Sequence, residues 1–131
     1  MKVLRENSSG EMEISGTRSE LLALGRKLRG GRGEISLPEV SDPSPYDRPL
    51  SRIEFRRASG KVRLSSSGEG EVLAVRGGLE SLALLADNIE GFALGADRGC
   101  HLHVDYFPAH DYLAEGSESL VVCIDGDSSA L

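Results

Sequence analysis

Apolar residues recur along this chain at two spacings, and those spacings divide it into strands and helices. Met12 and Ile14 alternate with Glu11 and Glu13. Ile35 and Leu37 alternate with Glu34 and Ser36, Ile53 and Phe55 with Arg52, Glu54 and Arg56, and Val62 and Leu64 with Lys61 and Arg63. Leu102, Val104 and Tyr106 alternate with His101, His103 and Asp105. A period of two is the mark of a strand with one buried face. Val72-Leu73-Ala74-Val75 and Leu120-Val121-Val122-Cys123-Ile124 are apolar on both faces. Such strands are expected at the centre of a sheet or covered on their second face.

Leu21, Leu24 and Leu28 follow the helical period instead. Thr17 and Glu20 before them form a capping box, in which each side chain satisfies the other's backbone N–H. Gly30, Gly31 and Gly33 end that helix. A second helix begins near Gly77-Gly78, with Leu79, Leu82, Leu85, Ala86 and Ile89 on its apolar face. Gly91 is its expected stop, or Phe92-Ala93-Leu94 adds a turn. The predicted order is β-α-β-β-β-β-α-β-β. The fold class is α+β: a mainly antiparallel sheet with both helices on one face.

The order carries an internal repeat. A shift of 61 residues places Met12 and Ile14 on Leu73 and Val75, Gly16 on Gly77, and Leu21, Leu24 and Leu28 on Leu82, Leu85 and Ile89. A shift of 67 then places Ile35 and Leu37 on Leu102 and Val104. The single domain 1–131 thus divides into units 10–57 and 70–125, with a strand at 60–66 between them. A chance match of amphipathic elements produces the same pattern. The polar face of the expected sheet would show Glu11, Glu13, Arg52, Glu54, Arg56, Lys61, Arg63, His101, His103 and Asp105. It is either a solvated face or the seat of a homodimer.

A chain of 131 residues with 39% apolar residues can build one core. No apolar run approaches the ~20 residues of a membrane span, and residues 1–10 lack the apolar stretch of an export signal. The expected setting is therefore cytoplasmic, with no membrane partner. The net charge is −6, and there are no Trp and only six Phe and Tyr. Nucleic-acid binding wants a basic stripe and stacking rings, so it is excluded as the expected partner.

The net charge is unevenly spread. Residues 1–67 hold 13 bases and 9 acids, a net of +4, whereas residues 68–131 hold 2 bases and 12 acids, a net of −10. After Arg98 there is no Lys or Arg, and all three histidines lie beyond it. Such a field either solvates the surface or steers a basic partner. Cys100 and Cys123 have no metal-finger or CxxC spacing and are expected as reduced, buried thiols.

His101, His103 and Asp105 would share one face of a strand, about 6–7 Å between neighbours. Imidazole and carboxylate are zinc and iron ligands, so this set is the candidate for a metal-binding protein or metal-dependent hydrolase. Against it, no second His follows Asp105 and no histidine elsewhere completes a site. There is no Gly-x-Ser-x-Gly elbow, and Cys100 and His101 point to opposite strand faces. Gly30-Gly31-Arg32-Gly33 and Gly68-Glu69-Gly70 lack the Lys-Ser/Thr of a phosphate loop. Asp125 and Asp127 read as a turn. No cofactor and no catalytic residue is expected.

The stretch His101-Leu102-His103-Val104-Asp105-Tyr106-Phe107-Pro108, then Tyr112-Leu113-Ala114, then Ser117-Glu118-Ser119-Leu120-Val121-Val122, resembles the C-terminal signature of a bacterial immunity-protein family. The family is the one numbered thirty-two of polymorphic toxin systems. Glu80-Ser81-Leu82-Ala83-Leu84-Leu85-Ala86 is similar to the helix that accompanies that signature. The resemblance covers about residues 71–125. It implies an intracellular, non-enzymatic α+β protein that binds and neutralises a cognate toxin. A basic toxin would suit the acidic half. The expected contact residues are Asp105, His110, Asp111, Tyr112, Glu115 and Glu118, an aromatic anchor ringed by polar groups. The alternative for Tyr112 and Leu113 is burial in the core.

Overall fold

The computed structural model describes residues 1–67, 71–97 and 99–125. The Gly68-Glu69-Gly70 turn, Arg98 and Asp127 lie outside these residues. The described strands are β1 (Lys2–Arg5), β2 (Met12–Gly16), β3 (Arg32–Ser36), β4 (Arg48–Pro49), β5 (Arg52–Arg57), β6 (Arg63–Ser67), β7 (Val72–Gly77), β8 (His101–Val104) and β9 (Leu120–Ile124). Helix α1 (Arg18–Gly30) follows β2, and α2 (Leu79–Gly95) follows β7. The α+β class, the two helices and the mainly antiparallel pairing stand as expected.

The single expected sheet is in fact two. The first runs β4-β1-β2-β9-β8 and the second β3-β5-β7-β6. The difference arises from two parallel pairings, β2 with β9 and β5 with β7. The first joins strands from the two ends of the chain, and the second joins β5 to β7 past the intervening β6. Two strands were missing from the expected order. In β1, Val3 and Leu4 are both buried, so no alternation marks it. In β4, two residues pair with Leu4 and Arg5 across a proline. The two strands that are apolar on both faces, β7 and β9, do lie inside their sheets.

The registers of the two sheets correspond. Val3 faces Ile14 in the first, and Leu64 faces Val75 in the second, 61 residues on. Ile14 faces Val122, and Val75 faces Phe55. Leu102 faces Val122, and Gly33 faces Phe55. Strand β6, expected between two units, thus holds the place in the second sheet that β1 holds in the first. The hairpin β3–β5 leaves the first half to join β7, and β8–β9 leaves the second half to join β2. The offset from β3 to β8 is 69 residues by this register, not the expected 67.

The helices follow from their stripes. Thr17 caps α1 through the reciprocal box with Glu20, and Gly31 closes it in a left-handed conformation at φ 69°. That conformation is open to glycine at little cost. Helix α2 passes Gly91 and ends at Gly95, because Phe92 and Ala93 still reach the core. Leu21, Leu24 and Leu28 from α1 and Leu82, Leu85 and Ile89 from α2 are fully buried in one cluster with both sheets. Each such side chain contributes about 1.5–3 kcal/mol by leaving water. The helices pack on each other with Gly25 and Ala86, both small and buried, at corresponding positions.

Candidate functional site

The loop between β8 and β9, residues 105–119, crosses from the first sheet to the open edge of the second. Leu113 forms a parallel bridge with Val62, just before β6. The Val62 N–H donates to the Tyr112 carbonyl at 2.7 Å, and the Ala114 N–H to the Val62 carbonyl at 2.7 Å. The Glu118 N–H donates to the Leu64 carbonyl at 2.9 Å. The Ser117 hydroxyl both donates to the Val62 carbonyl and accepts from the Leu64 N–H, each at 3.2 Å. The Lys61 ammonium holds the His110 carbonyl. These bonds satisfy an edge that would otherwise be a row of unpaired backbone groups.

His110 organises the loop from within and is only 7% exposed. Its Nδ1 accepts from the Tyr112 N–H at 3.1 Å and the Leu113 N–H at 3.0 Å. An Nδ1 that accepts twice is unprotonated in this arrangement. The imidazole sits between Phe107 and Tyr112, both ring centroids 4.6 Å away. Tyr112 is buried, and its hydroxyl accepts from Asn88 of α2 at 2.7 Å. Burial pushes the Tyr112 hydroxyl pKa upward. Leu113 is fully buried.

The expected contact residues therefore separate by geometry. Asp105, Asp111 and Glu115 are exposed. His110 and Tyr112 face the core. Glu118 is turned inward to Arg5 at 3.7 Å and to the Ser66 hydroxyl at 2.8 Å. Phe107 was not among the expected residues, yet it is 58% exposed on this loop. The alternation of the sequence runs on to Tyr106, whereas β8 ends at Val104, so Phe107 stands in the loop where no strand pattern marked it.

The charge division of the sequence is partly used up inside the molecule. Arg5 meets Glu118, and Arg29 meets Asp87 and Glu90. The Arg18 guanidinium donates to the Ala93 and Ala96 carbonyls at the end of α2. Each contact pairs a base of the first half with an acceptor of the second.

A second cluster lies on the outer face of the first sheet. Cys123 pairs in register with both Ser15 and His101, and Val121 with both Glu13 and His103. The Cys123 thiol donates to Glu13 Oε1 at 2.8 Å. Ligand atoms of Glu13, His101 and Cys123 all lie within 4.8 Å of one another. Among the described residues this is the group that converges, and it includes neither His103 nor Asp105. Burial and the Glu13 carboxylate push the Cys123 thiol pKa up to about 12. Burial and a hydrogen bond to Glu13 also raise the Tyr46 hydroxyl pKa. Both cysteines are free, but only Cys123 is buried; Cys100 is exposed just before β8. The expected continuous polar face does not form, since Glu13, His101 and His103 lie on one sheet and Arg52, Glu54 and Arg63 on the other.

No helix among the described residues is long and apolar enough to cross a membrane. The sequence model of the family Immunity protein 32 matches residues 72–124. That segment begins with the first residue of β7 and ends with the last of β9, so it contains α2 and the 105–119 loop. No curated protein and no solved structure matches the chain.

Proposed function

We propose that this chain is a cytoplasmic, non-enzymatic immunity protein that binds a cognate toxin and neutralises it by covering its active surface. The observation that carries this reading is the immunity-family match over β7–β9, which includes the exposed acidic loop. Asp105, Asp111 and Glu115 would face a basic toxin surface, with Phe107 as the apolar contact among them. Exposed charges of this kind raise association rates, and an aromatic side chain supplies contact area at low entropic cost. His110, Tyr112 and Glu118 would act by holding the loop in place.

The first half is read as a duplicate of the second, kept for the strands it exchanges. Without β2 the β8–β9 hairpin would lose its parallel neighbour. Both halves are then needed to present the loop.

Co-expression with the toxin encoded by the neighbouring gene tests the reading. Growth should be restored, and the two chains should co-purify as a complex. Continued killing, with no complex in the soluble fraction, would overturn it.

A further inference from the structure

We infer that Glu13, His101 and Cys123 form a zinc site on the outer face of the first sheet, linking the two halves of the chain. One carboxylate, one imidazole and one thiol converge with their ligand atoms within 4.8 Å of one another. Zinc is borderline soft and takes this mixture, whereas magnesium and calcium want oxygen alone. Bond lengths of about 2.0–2.3 Å put tetrahedral ligand atoms about 3.3–3.8 Å apart. The Cys123 sulfur and the Glu13 carboxylate already touch, at 2.8 Å. His101 is exposed and free to turn the remaining distance.

The surroundings suit such a site. Glu13 and Cys123 come from the parallel strands β2 and β9, and His101 from β8 directly opposite Cys123. Three adjacent strands hold the ligands, which fixes their spacing better than a loop could. The Tyr46 hydroxyl bonds to Glu13 from the covering loop and would orient the carboxylate. Three protein ligands leave a fourth position, on the exposed His101 side, for water. Binding breaks the Cys123 S–H bond, forms a sulfur–zinc bond and releases one proton to solvent. A resident cation also inverts the local preference for a neutral thiol. The inference is independent of the toxin-binding reading, since Glu13 and Tyr46 lie outside the family match.

The test is titration of the untagged full chain with Co²⁺ and with Zn²⁺ under a non-chelating reductant. One ion should bind per chain. Co²⁺ should give the near-ultraviolet thiolate charge-transfer band and the intense visible bands of a tetrahedral site. Zn²⁺ should raise the melting temperature, as any ligand of the folded state does. His101→Ala, at an exposed position, should fold normally and weaken binding by more than about tenfold. Cys123→Ser should abolish the charge-transfer band, while His103→Ala and Cys100→Ser should leave it intact. The proposal fails if the wild-type chain gives no thiolate band. It fails equally if His101→Ala binds as tightly as wild type, or if Cys100→Ser removes the band.

Discussion

Arg29 of α1 and Glu90 of α2 occupy corresponding positions, 61 residues apart, and form an ion pair across the helix interface at 2.7 Å. Asp87 adds a second carboxylate to the same guanidinium at 2.5 Å. The correspondence that aligns the leucine stripes thus also sets a base from one half against acids from the other. Exposed pairs of this kind add little to stability, so their role is chiefly in register.

Beneath this pair lies Gly25. A Cβ there would come within 2.6 Å of Glu90 Cγ and displace the side chain that Arg29 holds. Gly25→Ala therefore sets a helix-propensity gain of about 1 kcal/mol against an overpacking cost of about 1–3 kcal/mol. In the wild-type background it should be neutral to destabilising. In a Glu90→Ala background it should stabilise by about 1 kcal/mol. Urea denaturation of the four variants measures the coupling, and equal effects in the two backgrounds would refute the close approach.

His110 and Asp111 are neighbours with opposite expected phenotypes. His110→Ala leaves the Tyr112 and Leu113 N–H groups without their acceptor and should cost about 1–3 kcal/mol of stability. Asp111→Asn alters an exposed charge and should leave the unfolding midpoint within about 0.5 kcal/mol of wild type while slowing toxin association. Thermal unfolding and association kinetics on both variants separate a scaffold residue from a contact residue. An unfolding midpoint unchanged by His110→Ala would contradict the assigned role.

The legible parts of the fold were those fixed by local period. The Thr17–Glu20 box, both leucine stripes and the inner strands β7 and β9 could be read because each depends on residues a few positions apart. The partition into two sheets could not. It depends on β2 choosing β9 and β5 choosing β7 across more than half the chain or past an intervening strand, and no local pattern records that choice. The same limit applied at the sites. Asp105, Asp111 and Glu115, singled out from charge, are exposed, but Glu118 is drawn inward by Arg5, whose strand carries no alternation. His101 was found as a ligand candidate beside His103, yet its structural neighbours are Glu13 and Cys123 from other strands.

Glu20 contributes stability that depends on acid. The Met1 ammonium, bonded at 2.6 Å, and the Thr17 N–H hold its carboxyl pKa below the ordinary value of 4.5. A folded-state pKa that is depressed contributes stability in full above the unfolded value and loses it as pH falls through the folded one. Melting temperature should therefore drop as pH falls below the ordinary carboxyl value of 4.5, and Glu20→Gln should flatten that drop while lowering stability at neutral pH. The comparison uses the untagged chain, and an acid limb of the same slope in both proteins would exclude Glu20 as its source.

The central claim is that the exposed acids of the 105–119 loop meet the toxin. Association kinetics with the purified, catalytically inactivated toxin test it most directly, at low and at high salt. The Asp105→Asn, Asp111→Asn, Glu115→Gln triple variant should fold as wild type does. It should associate about tenfold or more slowly at low salt, with the difference shrinking as salt screens the field. Equal association rates and equal affinity for the wild type and the triple variant at both salt concentrations would contradict the account.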